Sequence, residues 1–215
     1  MVTERLARGL RRFNDTYPWD HNAHYHRWLL RQLPRRFGAA LDVGCGTGDL
    51  ARLLAGRARR VVGLDADPEI LALARSLTPE GLAVAYRAGD AAAGLPEGTY
   101  DVITCVATLH HLPLAEALAG FRRHLAPGGT LVVVGLYRAR GLTDHLLGAV
   151  AVPLNAAAGW LRNRGRPAPR PAAMTARTRP AETDFGDIVR EARRVLPGAR
   201  LRRRLFWRYT LVWRR

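Results

Sequence analysis

The alternation of β-rich and helical patterns between residues 38 and 137 constrains the fold of this chain more than any other feature. Short runs rich in branched and aromatic side chains alternate with segments in which apolar residues recur at helical spacing. The predicted strands are 40–44, 61–65, 82–90, 100–107 and 129–137, and the predicted helices are 49–56, 68–77 and 114–125. Strands joined through helices of this length form right-handed crossovers, so the pattern predicts a parallel sheet with helices on both faces.

The two ends of the chain extend this prediction. Residues 2–13 predict an amphipathic helix with basic faces, and residues 185–196 predict a further helix. A basic, aromatic segment at 199–215 predicts a final pair of strands, although the pattern does not fix the turn between them. The expected fold is therefore α/β, with a doubly wound, mostly parallel sheet of seven strands in a single domain.

Basic residues concentrate at the two ends of the chain. Residues 1–37 hold 8 Arg and 3 acidic residues, residues 162–215 hold 16 Arg and 4 acidic residues, and Lys is absent throughout. Such flanks could attract nucleic acid, an anionic membrane surface or an acidic substrate. No aromatic-interleaved RNA motif or helix-turn-helix pattern accompanies the charge. Nucleic acid is therefore disfavoured, while peripheral membrane contact through the basic ends stays open.

Cysteine usage and hydropathy predict a cytoplasmic protein. Cys45 and Cys105 are too few for a disulfide framework, and no apolar run follows the basic start. The longest apolar stretch, residues 146–161, contains Pro153 and is shorter than the roughly 20 residues that a membrane span needs. Residues 162–180 are rich in Pro and Arg, which predicts a long exposed loop.

The segment LDVGCGTGDL, residues 41–50, places Gly44, Gly46 and Gly48 at a turn from strand to helix. Glycines at such a turn let backbone amides approach a ligand closely. A nicotinamide-binding turn would have the spacing G-x-G-x-x-G, whereas this one has G-x-G-x-G and follows Asp42, which would repel a pyrophosphate. A carboxylate there suits a ligand with positive charge, such as the ammonium group of an amino acid.

Acidic residues follow the next two strands as well. Asp65 ends one strand, where an acid can accept hydrogen bonds from ribose hydroxyls, and Asp90 ends the next. Each of these acids alone would fit a helix cap or a turn. Because the carboxyl ends of neighbouring parallel strands meet at one edge of a sheet, Asp42, Asp65 and Asp90 are expected to line one crevice.

These segments resemble the motifs of the class I S-adenosylmethionine-dependent methyltransferases. LDVGCGTG is similar to their first, cofactor-binding motif, GLDAD, AGDA and YDVITCVATLHHLP are similar to the next three, and APGGTLVVVG is similar to the strand that precedes their lid. The resemblance implies a Rossmann-like methyltransferase fold and S-adenosyl-L-methionine as the cofactor. The residues expected to contact the cofactor are Asp42, Gly44, Cys45, Gly46, Gly48, Asp65, Ala66, Asp90, Ala91 and Val106.

The resemblance also implies how one methyltransferase domain, residues 1–215, is organised. The expected parts are amino-terminal lid helices at 1–37, a cofactor-binding core at 38–137, a lid helix and a Pro/Arg-rich loop at 138–181, and a final helix and strand pair at 182–215. The histidine-rich segment WDHNAHYHRWLL, residues 19–30, falls in the first part. Its lid is expected to present Tyr17, Trp19, His21, His24 and Tyr25.

The three histidines of this segment, His21, His24 and His26, could in principle bind a metal. His21 and His24 share a helical face, but His26 is expected to point elsewhere, and no Cys or carboxylate pair completes a tetrahedral set. No metal is therefore expected. The wall opposite the lid is expected to be the apolar helix at residues 145–161 with the Arg-rich loop after it, although a plain core or dimer face for that helix stays open.

Two adjacent histidines, His110 and His111, follow the fourth strand. Neighbouring residues on a helical turn diverge by about 100°, so only one of them can face the crevice. The resemblance implies that His110 faces the methyl acceptor as general base or orienting residue and that His111 supports the loop. The alternative, in which both histidines only pack within the loop, stays open.

The expected function is that of a methyltransferase of small-molecule or secondary metabolism. It would transfer a methyl group by direct displacement, without metal or covalent intermediate, to an oxygen, nitrogen or carbon of a small apolar or aromatic acceptor. The alternatives are a nicotinamide-dependent oxidoreductase, an Arg-rich nucleic-acid-binding protein or RNA methyltransferase, and a catalytically silent cofactor-binding partner. The sequence does not determine the oligomeric state.

Overall fold

A computed structural model describes residues 2–174 and 179–215, apart from the side chains of residues 2–4, 6 and 7. Its helices are α1 (Val2–Thr16), α2 (His21–Gln32), α3 (Asp49–Ala55), α4 (Pro68–Ser76), α5 (Leu114–His124), α6 (Leu142–Arg162) and α7 (Phe185–Val195). Its strands are β1 (Phe37–Val43), β2 (Ala58–Asp65), β3 (Val84–Ala88), β4 (Tyr100–Val106), β5 (Leu125–Leu136), β6 (Arg200–Arg204) and β7 (Arg208–Arg214). Short 3₁₀ turns lie at Leu109–His111 and Ala172–Met174.

All of these strands join one sheet in the order β3-β2-β1-β4-β5-β7-β6. Strands β1 to β5 are parallel, and β7 runs antiparallel to both β5 and β6. The predicted seven-stranded, mostly parallel α/β fold is confirmed. The strand order reverses between β1 and β4, which is where an open α/β sheet forms a crevice at the carboxyl ends of its strands.

Local sequence accounts for where the central elements begin. At the start of α4, the Asp67 carboxylate accepts hydrogen bonds from the backbone N–H groups of Glu69 (2.9 Å) and Ile70 (3.3 Å), and Pro68 occupies the first helical position. Strand β5 begins earlier than predicted, at Leu125, because the chain bulges through Gly128 (φ 75°) before regular pairing resumes.

The side chains of the sheet alternate between two apolar layers. On β1, Leu41 packs into the layer that holds Phe121 of α5 and Ile188 of α7, whereas Ala40 packs into the layer that holds Leu29 of α2 and Leu54 of α3. Because the strands are buried on both faces, their long apolar runs are accommodated without an exposed side.

A third, smaller layer lies beyond the carboxyl edge of the sheet. Helix α1 packs on α6, and Trp19, Ala151 and Phe206 form an apolar cluster there. Asp144 attaches the start of α6 to β6 through an ion pair with Arg203 (Oδ1 to Nε, 2.7 Å). Among the described residues, no helix is both long and apolar enough to cross a lipid bilayer.

The turn that the sequence did not fix connects β6 and β7 through residues 205–207. Phe206 and Trp207 adopt left-handed backbone angles there (φ 57° and 58°). This tight reversal sets the first residue of β7, Arg208, at the carboxyl edge of the parallel strands, since Arg208 pairs with Leu136 at the end of β5.

Candidate functional site

A cleft of about 1280 Å³ lies at the carboxyl edge of the sheet. One side of it is formed by the loops that follow β1, β2, β3 and β4, which we call the strand-end wall. The other side is formed by the start of α2, the loop after α6 and the start of β7, which we call the covering wall. The described residues of the covering wall are Asp20, His21, Asn22, His26, Arg170, Ala173, Met174, Arg179 and Arg208.

The glycine turn of the strand-end wall is held by the neighbouring strand. The Gly46 N–H donates to Asp65 Oδ2 (2.8 Å), and the Gly44 and Cys45 N–H groups donate to the carbonyl of Leu64 (2.7 and 3.0 Å). A Cβ on Gly44 would overlap Thr108, so glycine lets the ends of β1 and β4 approach. A Cβ on Gly46 would meet no protein atom within 4 Å, and Gly46 lines the cleft, so space there is left for a ligand.

Asp42, which is 2 % exposed, lines the cleft as part of the strand-end wall. Its Oδ1 accepts a hydrogen bond from the Thr104 hydroxyl (2.7 Å). Burial, together with the nearby charge of Asp65, raises the pKa of Asp42 to about 7. A cationic group entering the cleft would favour the ionised form of this carboxyl, which is consistent with the charge argument made from the sequence.

The cleft brings together most of the residues expected to contact the cofactor. Those that line it are Asp42, Gly44, Cys45, Gly46, Asp65, Ala66, Asp90, Ala91 and Val106. Gly48 does not line it. A Cβ on Gly48 (φ 77°) would overlap the Tyr86 hydroxyl, so this glycine serves the packing of the turn against β3.

Helix α2 presents a different set of side chains from the one that the sequence predicted. Asp20 caps the helix by accepting from the Asn22 N–H (2.7 Å). Asn22 and His26 lie four residues apart and so share the face that lines the cleft, together with His21 at the helix start. His24 is exposed and does not line the cleft, and its Nδ1 lies 3.1 Å from the Arg162 guanidinium. His21 and His24 share a side, as expected, because both rings contact Trp19 and Phe206, but His26 lines the cleft beside His21, which the sequence did not predict.

The aromatic residues of the predicted lid are likewise displaced from the cleft. Tyr17 and Trp19 line an adjoining pocket of about 230 Å³ beside α6, which shares His21, Arg170 and Met174 with the cleft. Tyr25 is buried beneath the lid, where its hydroxyl donates to the carbonyl of Leu205 (2.7 Å). Of the five predicted lid residues, the cleft is thus lined by His21 alone.

His21 is fixed by the polar inner side of α6. Its Nε2 lies 2.6 Å from Asn155 Oδ1, which also accepts from the Trp19 indole N–H (2.9 Å). Because the amide oxygen can only accept, Nε2 carries the proton, and the neutral ring keeps its lone pair on Nδ1. Burial lowers the pKa of His21, so the ring is neutral near pH 7.

The two adjacent histidines occupy the 3₁₀ turn after β4, where Leu109 is buried in the core. His111 lines the cleft, and His110 does not. The ring centroids lie 3.9 Å apart with the ring planes tilted by 40°, and neither ring nitrogen of His110 has a hydrogen-bond partner in the described part of the chain. Burial, with the charge of His111, lowers the pKa of His110 to about 4. Only one histidine faces the cleft, as expected, but it is His111, because the turn directs His110 beneath it.

Arg208 was missed by the sequence reasoning. It is 9 % exposed and lines the cleft, and its guanidinium donates to Asn22 Oδ1 (3.0 and 3.3 Å) and to the carbonyl of Phe206 (3.2 Å). It forms no ion pair with any described carboxylate, and Asp20 acts on it only at longer range. The sequence shows only an arginine at the start of an aromatic strand. That position lies at the cleft because the strand runs antiparallel to β5, and the sequence pattern does not give the strand direction.

The predicted apolar wall of the cleft was also wrong. No residue of α6, all of which is described, lines the cleft, whereas Arg170, Met174 and Arg179 of the following loop do. Helix α6 directs its large apolar side chains outward instead. Residues 175–178 of the predicted exposed loop lie outside the described residues. Within the described ranges, no group of three or more His, Cys, Asp or Glu side chains could hold a metal ion.

Comparison with known proteins identifies the family to which the chain belongs. The sequence profile described as "Methyltransferase domain" matches residues 41–133. An uncharacterized methyltransferase of Mycobacterium bovis is 30% identical over 200 residues, which cover 92% of this chain and 97% of the relative. The chain belongs to the S-adenosylmethionine-dependent methyltransferases. The predicted family, fold and cofactor are confirmed.

Other proteins match this methyltransferase over a shorter segment or at lower sequence identity. A ubiquinone biosynthesis O-methyltransferase of Burkholderia multivorans is 42% identical over 94 residues, which cover 42% of this chain and 40% of the relative. The crystal structure of an S-adenosylmethionine dependent methyltransferase from Mesorhizobium loti superimposes with a TM-score of 0.60 at 19% identity, covering 88% of this chain and 96% of that one. The latter likeness supports the fold.

The strand-end wall fits S-adenosylmethionine, the methyl donor of this family. Each oxygen of Asp65 accepts one backbone N–H, from Gly46 and Asp67, and keeps a second lone pair for a ribose hydroxyl. The open position at Gly46 and the buried carboxyl of Asp42 suit the methionine part with its ammonium group. When bound, the cofactor supplies an electrophilic methyl group on a sulfonium.

Proposed function

We propose that this methyltransferase acts on a small acceptor that carries an anionic group, and that Arg208 binds this group. The observation that supports the proposal is a buried guanidinium in the cleft without a carboxylate partner among the described residues. A buried, unpaired cation is costly, and an anionic ligand compensates it. Its three hydrogen bonds go to two acceptors, Asn22 Oδ1 and the Phe206 carbonyl, and leave two of the five guanidinium N–H groups free for a ligand.

The other cations of the covering wall favour the same chemistry. Arg170 and Arg179 line the cleft, and the charge of Arg179 contributes to the lowered pKa of His111. Burial is the main cause of the lowered pKa of both His21 and His110, and the charge of Arg208 lowers both further. The cations thus gather around the histidine-bearing end of the cleft. With α6 turned away from the cleft, the basis for a purely apolar acceptor is gone.

His111 is the proposed proton acceptor in place of His110. It lines the cleft beside Val106 and Thr108, and burial together with Arg179 lowers its pKa, so its ring is neutral at pH 7. In the reaction, a bond forms between the acceptor atom and the methyl carbon while the methyl–sulfur bond breaks, and the electron pair of that bond stays on sulfur. A proton released by the acceptor passes to the His111 ring. The protein otherwise contributes positioning.

The test is methyl transfer from labelled S-adenosylmethionine to matched pairs of small acids and their amides. We expect the acids to be preferred, and we expect Arg208→Gln to raise their KM by about 10-fold or more, because a charge-assisted hydrogen bond contributes about 1.5 to 3 kcal/mol. The cofactor affinity should stay within about twofold of wild type. Arg202→Gln, at an exposed position of β6, is the control with the same change in charge.

Two results would contradict the proposal. Equal activity on acids and amides would remove the anionic group from recognition. If Arg208→Gln instead weakened S-adenosylhomocysteine binding, the guanidinium would hold the carboxylate of the cofactor rather than the acceptor. Arg208→Lys, which keeps the charge, is the second variant if the glutamine variant lowers the melting temperature.

A further inference from the structure

Helix α6 turns its apolar side outward and its polar side inward. Seven of the ten exposed large apolar side chains among the described residues lie on this helix. They are Leu142, Leu146, Val150, Val152, Leu154, Trp160 and Leu161. The buried residues of the helix are Asp144, Ala151, Asn155 and Gly159. This is the reverse of the arrangement by which a surface helix normally packs on a core.

The outward residues form a continuous stripe. Every fourth residue belongs to it from Leu142 through Leu146 and Val150 to Leu154. Leu161 lies two helical turns after Leu154 and therefore on the same side. A helix of this length is about 30 Å long at 1.5 Å per residue. Leu142, Leu146 and Leu161 are 77%, 60% and 65% exposed. Contiguous apolar surface of this extent marks an interaction site.

Polar contacts fix this orientation of the helix. Asp144 pairs with Arg203 and also accepts from the N–H groups of Arg140 (3.2 Å) and Gly141 (3.1 Å). Further along, Asn155 binds Trp19 and His21 and donates to Asn14 Oδ1 (3.0 Å). Rotating the helix to bury its leucines would break the contacts with Arg203, Trp19, His21 and Asn14, which belong to other parts of the chain, so the apolar stripe stays outside.

Arginines lie at both ends of the stripe. Arg138 precedes α6, and Arg164 and Arg166 follow it, and all three are exposed. Two further arginines are engaged within the protein, since Arg140 pairs with Asp184 and the Arg162 guanidinium lies over the Trp19 ring. Helix α1, which packs alongside, adds the exposed Arg5, Arg8, Arg11 and Arg12. The only acidic residue between positions 138 and 170 is the buried, paired Asp144.

We propose that the outer face of α6 docks on an anionic lipid bilayer. The leucines and Trp160 would enter the boundary between headgroups and acyl chains, while the surrounding arginines contact the lipid phosphates. A second copy of the chain would bury the leucines but would bring the two sets of arginines together. A nucleic acid would pair with the arginines but leave the apolar stripe in water. A bilayer with anionic lipids satisfies both properties of the face.

The test is sedimentation of the full-length protein with vesicles of phosphatidylcholine alone and with added phosphatidylglycerol. We expect binding to the anionic vesicles that weakens in high salt. The double variant Leu146→Gln and Leu161→Gln should lower the partition coefficient at least about 10-fold, since apolar area drives insertion. Both positions are exposed, so the fold and the methyl transfer in solution should be unchanged. Leu53→Gln, at a 46% exposed position of α3, is the matched control.

Three results would overturn the proposal. The first is vesicle binding that the double variant retains in full, and the second is equal binding to vesicles with and without phosphatidylglycerol. The third is self-association in vesicle-free buffer that the double variant abolishes, because the face would then belong to a second copy of the chain. None of these depends on which acceptor the enzyme methylates.

Discussion

The two walls of the cleft are built from different parts of the chain by different means. The strand-end wall comes from loops between residues 42 and 112, and much of its geometry depends on backbone groups and small residues, such as the Gly46 N–H held by Asp65. The covering wall combines α2, the loop after α6 and the start of β7, and it acts through side chains such as Asn22 and Arg208.

This difference matches the two ligands of a methyltransferase. The cofactor is the same for every member of the family, so one backbone arrangement serves it. The acceptor differs between relatives, whose names include a ubiquinone biosynthesis O-methyltransferase and a trans-aconitate 2-methyltransferase. Side chains that come from loops and chain ends can change without disturbing the sheet. The division predicts that substitutions in one wall affect one ligand and leave the other nearly unaffected.

The largest effect should follow from removing Asp65 in the strand-end wall. Asp65→Ala is expected to weaken S-adenosylhomocysteine about 100-fold or more, because two charge-assisted hydrogen bonds to the ribose are worth about 1.5 to 3 kcal/mol each. Calorimetric titration measures it. Glu80→Ala, which removes an exposed acid, should bind normally. Unchanged affinity of the Asp65 variant would mean that the strand-end wall does not bind the cofactor.

The next effect tests the point where the two walls meet. His111→Ala is expected to lower the single-turnover rate about 100-fold while leaving cofactor affinity nearly intact, because general-base catalysis contributes about that much. His110→Ala should mainly change stability, since its ring nitrogens are buried beside His111. The reverse result, with the rate lost on removing His110, would restore the assignment made from the sequence resemblance.

The smallest effect concerns Asp42 and the pH dependence of stability. The pKa of Asp42 is raised to about 7 in the folded protein, whereas it is about 4 in the unfolded chain. Between these two pH values the folded protein binds a proton that the unfolded chain has lost. The contribution of Asp42 to stability is therefore lost as the pH rises from about 4 through 7. Asp42→Asn keeps the acceptor for Thr104 but does not titrate. Its melting temperature should rise relative to wild type by a few degrees between about pH 5 and pH 8. A difference that does not vary with pH would contradict this.

The sequence predicted the fold and most of the strand-end wall because both depend on local patterns. Strand and helix periodicity, the glycine turn and the acids at strand ends are all visible within short windows. The covering wall depends on which distant segments meet. His26 and His24 differ in sequence position by two, yet only the direction of α2 against the sheet decides that His26 faces the cleft. Likewise, the polar attachments of Asp144 and Asn155, rather than the apolar stripe, decide which way α6 turns.

The direction of β7 also determines which part of the chain lies beside the proposed acceptor side of the cleft. Since β7 runs antiparallel, its first residue lies at the cleft, and residues 205–207 connect it to the outermost strand, β6. Pairing of β7 with β5 begins at Arg208 and sets the register without help from that connection. Residues 205–207 do not line the cleft themselves, so insertions or exchanges there would change the covering wall by moving Arg208, while the pairing of β5 with β7 persists. Such changes would also have to keep Phe206 buried with Trp19 and Ala151 and leave the Leu205 carbonyl in place for the Tyr25 hydroxyl.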